Sequence, residues 1–125
     1  GRLLEEAKRK EEKAKLVPVR NEVFRVVRLL WNLDAEGAAE ALGVSRDEIA
    51  ARLKEYQADH TGILTDAAAR SPHHAKVVAN SPTAFRVEQT ITDPDGHNDW
   101  ALVVDAEWIP SAKPRLSFVR LGPIG

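Results

Sequence analysis

The chain has 125 residues, 43% apolar and 30% charged, and its 18 basic and 19 acidic side chains leave a formal net charge of −1. That length suits one domain, and a domain of this size buries enough surface to fold without a disulfide or metal staple. Charge balance gives no global pull toward nucleic acid or anionic lipid, and the absence of cysteine excludes a disulfide scaffold, a thiolate metal site and a cysteine nucleophile.

No apolar run reaches the roughly 18 residues of a membrane-spanning helix, and no signal-peptide pattern opens the chain. A cytoplasmic location is expected, with no membrane partner. The sequence holds no methionine and opens on Gly1 within a charged stretch. We read it as an excerpt of something longer; a tagged protein with its leader removed is the plainer alternative.

Leu3 to Lys15 reads as an exposed helix, with Glu and Lys at helical spacings such as Glu6–Lys10 and Glu11–Lys15. Its apolar content is thin, so residues 1–17 are expected to form a charged helical connector and residues 18–125 the folded α+β domain. Pro18 suits the first turn of a second helix. Along Val19 to Leu33 the residues Val23, Val26, Val27, Leu30 and Trp31 mark a buried stripe. Arg20, Arg25 and Arg28 fall on the other faces. Asp34 is placed to cap a short helix that ends at Gly43. Ser45-Arg46-Asp47-Glu48 is a capping box opening a helix with a core face of Ile49, Leu53 and Tyr56, which ends near His60.

Residues 63–83 are less regular, with Pro72 and Pro82 bracketing His73, His74 and Val77-Val78. A long irregular stretch inside a small domain is commonly functional, so a site is sought here first. The last third alternates. Phe85, Val87, Gln89 and Ile91 form one strand face, and Asp93-Pro94-Asp95-Gly96 is a turn. Trp100, Leu102, Val104, Ala106 and Trp108 form the next strand face, and Leu116 to Leu121 a third strand. The expected architecture is α+β, N-terminal helices packed on a curved antiparallel sheet from the C-terminal third.

Chemistry-bearing patterns are sparse. The glycines are dispersed and no Gly-Lys-Ser/Thr occurs, so there is no phosphate-binding loop. His73 and His74 are adjacent and do not converge on one ion, and His60, Asp66 and His97 lack ligand spacing. Asp93/Asp95 and Asp105/Glu107 read as solvated charges rather than an acid–base pair. Arg20, Arg25 and Arg28 on one helix, with Arg70, His73 and His74 in the following loop region, are candidates for nucleic-acid or partner contact, because a guanidinium recognises phosphate bidentately. Of the tryptophans, Trp108 is expected to be the exposed one.

Val19-Arg20-Asn21-Glu22-Val23-Phe24-Arg25-Val26-Val27, Asp66-Ala67-Ala68-Ala69-Arg70-Ser71-Pro72 and Val87-Glu88-Gln89 through Asp99-Trp100 carry a resemblance. Over roughly residues 18 to 122 the chain resembles the uncharacterised C-terminal domain of certain bacterial DEAD/DEAH-box (superfamily II) helicases. The Asp93-Pro94-Asp95-Gly96-His97-Asn98-Asp99-Trp100 element is its most specific part, and Tyr56, Asp59, His60 and Ile63-Leu64-Thr65 match in order. The resemblance departs at Ser71, where glycine is usual, and after Trp108, where the chain is shorter and richer in proline. It implies a non-catalytic accessory domain of an ATP-dependent RNA or DNA helicase, with the helicase core as partner, and with ATP and magnesium belonging to that parent rather than to this chain. A looser, architectural similarity is to the cone-shaped nuclear-transport-factor-like fold. There Tyr56, His60, Asp66 and Trp100 would line a pocket, and the alternative reading is a free-standing small-molecule binding protein or enzyme of that fold. A third is a structural domain that dimerises through its sheet.

Overall fold

In the computed structural model, which describes all 125 residues, one helix dominates. Helix α1 runs unbroken through Arg2–Trp31. The two helices expected on either side of Pro18 are therefore one. Proline in a helix interior leaves the carbonyl four residues back without its N–H partner. Here that carbonyl belongs to Ala14, in the exposed half of the helix, where water can take the bond. Val19, Val23, Val26, Val27 and Leu30 are buried as the stripe requires. Trp31 is not: at the margin of the stripe and in the last helical position, it is 52% exposed. Trp108, expected outside, is half-buried, with the Lys15 ammonium 5.0 Å from its ring centre. Lys15 also donates to the Pro82 carbonyl at 3.0 Å, anchoring the middle of α1 to the loop before the sheet's second strand.

Two shorter helices follow, α2 (Ala35–Leu42) and α3 (Arg46–Asp59). The Asp34 carboxylate accepts from the Gly37 amide at 2.9 Å, and Gly43 ends α2 in the left-handed conformation, φ 67°. Ser45 Oγ accepts from the Glu48 amide at 3.2 Å, while the reciprocal bond of the capping box does not form. Between α1 and α2, Leu33 takes φ 57°, a place where glycine is usual. The tight turn it permits lets the Asp34 amide reach the Leu29 carbonyl at 2.8 Å.

The sheet has four strands where three were expected: β1 (Ala75–Ala79), β2 (Ala84–Ile91), β3 (Trp100–Glu107) and β4 (Arg115–Pro123). They form an antiparallel meander in the order β1-β2-β3-β4. The extra strand is a short, mostly exposed edge, so its residues carry little of the burial that alternation reveals. It follows a single 3-10 turn, Pro72–His74. One sheet face turns inward: Phe85, Val87, Gln89 and Ile91 pair with Ala106, Val104, Leu102 and Trp100, and these with Leu116, Phe118, Leu121 and Pro123. This face joins the α1 stripe and residues of α2 and α3 in one hydrophobic core. The other face is laced by Arg86 on Asp105 (2.9 and 2.8 Å), Arg115 on Glu107 (3.4 Å) and Arg120 near Glu88 (3.9 Å). The fold is α+β, with helices packed on an antiparallel sheet, as the order of patterns implied. No helix is long and apolar enough to cross a membrane.

Replacing Pro18 with alanine restores the missing bond in the interior of α1. The expected gain is about 2 kcal/mol: roughly 3 from helix propensity less up to about 1 for the freer unfolded chain. Chemical denaturation measures it, with slower amide exchange across residues 12–20 as the local signature.

Candidate functional site

The densest cluster of polar and aromatic groups lies where α3 ends against the β2–β3 turn. His60, the residue that terminates α3, is 8% exposed. Its Nδ1 is 2.8 Å from the Tyr56 carbonyl and its Nε2 is 2.7 Å from the Asp99 carboxylate. A carbonyl and a carboxylate both accept, so this geometry suits a ring that donates from both nitrogens, the imidazolium form. It stacks on Tyr56 with ring centres 4.2 Å apart and planes 8° from parallel. Trp100 meets both rings edge-on. The Tyr56 hydroxyl donates to the Gly62 carbonyl at 2.7 Å.

The turn itself is built on Asp93. Rather than a solvated charge, Asp93 is buried, 2% exposed, and its carboxylate accepts from the amides of Asp95, His97 and Asn98 at 3.0, 3.2 and 2.8 Å. Gly96 supplies the positive φ, 73°, that the turn needs. Sequence reading took this segment as a turn, but missed that Asp99, at its far end, reaches His60. That pairing spans 39 positions and leaves no local signal.

The electrostatics agree with the geometry. Burial by itself pulls the His60 pKa down; the Asp99 carboxylate and the Tyr56 carbonyl outweigh it and hold the group above its ordinary value. Burial tends to raise the Asp93 pKa, and the three amide donors overcome this and depress it. Burial, then the nearby charges of Asp93 and Asp99, raise the Tyr56 phenol out of the physiological range. Tyr56 therefore stays a neutral donor.

Metal binding fits this cluster poorly. His60, Asp93 and Asp99 have ligand atoms within 4.8 Å of one another, as do Asp93, Asp95 and His97. Yet the Asp93 oxygens already serve three amides, and both His60 nitrogens are engaged as donors. A metal would have to displace those bonds.

Of the four pocket candidates, Tyr56, His60 and Trp100 come together, but they pack on each other. Asp66 lies elsewhere and caps a turn by accepting from the Ala69 amide at 3.0 Å. The basic candidates divide. Arg25 turns toward the half-exposed groove beside α2 and binds Glu22 through two hydrogen bonds of 2.8 and 3.1 Å. Arg28 and Arg70 instead converge on Phe24, their guanidinium carbons 5.2 and 5.4 Å from the ring centre. Arg20 and Arg70 line one concavity of about 160 Å³ with Asn21, Phe24, Ala75 and Gln89. His73 and His74 sit in the 3-10 turn before β1, one ring edge-on to the other.

Asp93→Ala should cost about 2–4 kcal/mol, since it strands buried amide donors; equilibrium unfolding measures this. Because the folded-state pKa of His60 is raised, its contribution is fully present below the unfolded value of about 6.5 and is lost as pH rises through the folded value. Unfolding free energy should therefore decline above about pH 6.5. In Asp99→Asn, where the carboxylate is half-exposed, the expected loss is about 1 kcal/mol near neutrality, with a flatter pH profile.

Residues 3–114 match the model of the family described as "Domain of unknown function (DUF3516)", from within the charged half of α1 to the residue before β4. No curated protein and no solved structure matches the chain. With the match covering most of its length, the chain belongs to the DUF3516 family.

Proposed function

We propose that this domain is a non-catalytic accessory domain of a cytoplasmic, ATP-dependent superfamily II helicase, and that it docks on the helicase core. The observation that carries the reading is the divided character of α1. Its second half is the spine of the hydrophobic core, while residues 2–14 are exposed throughout, with Leu3 at 82% and Leu4 at 59%. A helix continuous with the core is a stiff handle. Exposed leucines on an otherwise charged rod are what a partner surface would cover.

The segments that resemble the helicase-associated domain support the non-catalytic part. Within Asp93 to Trp100, Asp93 holds the turn, Asp99 holds His60 and Trp100 packs on Tyr56. Groups so engaged are not free to exchange protons with a substrate. ATP and magnesium belong to the helicase core in this reading, and RNA or DNA is the substrate of the assembly.

The test is titration of the full 125-residue chain into the helicase core of its parent protein, following binding and the ATPase rate. Micromolar binding is expected, and Leu3→Glu with Leu4→Glu should weaken it at least tenfold while leaving the melting temperature unchanged. A core that neither binds the domain nor changes its ATPase rate would remove the reading.

A further inference from the structure

The arginines of the folded body fall into two classes. Arg25, Arg46, Arg52, Arg86, Arg115 and Arg120 each pair with a carboxylate. Arg20, Arg28 and Arg70 do not: Arg28 and Arg70 lie against the Phe24 ring, and Arg20 lines one concavity with Phe24 and Arg70. The cause is legible along α1. The positions three and four residues from Arg20 are Leu16, Val17, Val23 and Phe24, and those from Arg28 are Phe24, Arg25, Trp31 and Asn32. None carries a negative charge, so the helix surface that normally neutralises an arginine offers nothing here.

Three further features make this more than a charged surface. The Phe24 ring face holds Arg28 and Arg70 by cation–π contact, which limits the freedom their long side chains must lose on binding. Arg70 is also steered by Asn21, whose Oδ1 accepts from its Nη2 at 3.4 Å. The Nε of Arg20 is buried and without a hydrogen-bond partner, an unsatisfied donor beside the concavity that Arg20 and Arg70 share.

We infer that Arg20, Arg28 and Arg70, the last two seated on Phe24, form a binding site for the phosphates of a nucleic-acid strand. Guanidinium forks without a carboxylate partner present bidentate donors to phosphate oxygens. Arg20 and Arg28 lie two helical turns apart, about 12 Å along α1. A single phosphate cannot bridge that span, whereas successive phosphates of a strand can. The site contacts backbone rather than base edges, so it positions a strand without reading its sequence. The inference does not depend on the helicase reading.

Fluorescence anisotropy with a labelled 12-nucleotide RNA and its DNA equivalent tests it directly, over a series of salt concentrations. The chain should bind both, and three phosphate contacts should make affinity fall roughly 20-fold for a fourfold rise in salt. The triple variant Arg20→Gln, Arg28→Gln, Arg70→Gln should lose at least tenfold in affinity. A control triple with the same charge change, Arg2→Gln, Arg9→Gln, Arg46→Gln, should lose less than twofold. Should the first triple melt at a lower temperature, the single variants of the exposed Arg28 and Arg70 serve in its place. Each should lower the salt slope by about 0.7 for a single strand. Equal losses in both triples would reduce the effect to general cationic attraction and overturn the site. So would absence of binding at low salt, or binding only to vesicles containing phosphatidylserine.

Discussion

A thirty-residue helix has only half its length against a sheet, and most of this molecule follows from that imbalance. In the second half, Val19, Val23, Val26, Val27 and Leu30 are almost wholly removed from water. Each buried side chain of that size contributes about 1.5–3 kcal/mol, which amply offsets an interior proline at the boundary. The stripe orients the helix about its own axis. With those five residues turned to the core, Glu22 and Arg25 face α2 and Lys113, and Arg20, Phe24 and Arg28 lie on the other side. Two surfaces of opposite character arise from one packing decision. One is internally neutralised, and the other keeps its positive charge.

The opposite end of the domain is held by a different device. Strands β2 and β3 are joined by a turn whose central carboxylate is buried, a costly position for a charge unless it is fully hydrogen-bonded. Asp93 meets that condition with three backbone amides. The turn thereby presents Asp99 to His60, and the end of α3 is fastened to the sheet through a charged hydrogen bond and a stack of aromatic rings. Clusters of histidine, carboxylate and tyrosine invite catalytic readings. Here the His60 ring nitrogens, the Asp93 carboxylate and the Tyr56 hydroxyl each meet a protein partner, and those bonds tie the end of α3 to the turn.

Local patterns were read correctly for most short-range signals, the break expected at Pro18 and the reciprocal capping-box bond at Glu48 excepted. The Asp34 cap, the αL glycine at Gly43, the start of α3 at Ser45 and the turn at Gly96 are all formed by groups within a few residues of one another. Strand β1 escaped because an exposed edge five residues long has no alternation to detect. Trp31 and Trp108 were exchanged in exposure, since the first lies at the margin of its stripe and the second is covered by Lys15 from another element.

Composition and periodicity sufficed for the class of fold, for the stripe of α1 and for the lack of carboxylates beside Arg20 and Arg28, because each is a property of neighbours along the chain. The looser architectural similarity grouped Tyr56, His60, Asp66 and Trp100, of which Asp66 lies apart, and residue type set Arg70 alongside the α1 arginines, but neither said how these side chains meet. Whether an arginine is neutralised, as Arg25 is by Glu22, or left free on an aromatic ring, as Arg70 is on Phe24, depends on which faces the core turns outward. The same holds for the bond from His60 to Asp99. Contacts between residues 39 or 46 positions apart arise only when helix and sheet pack, and no local spacing encodes them.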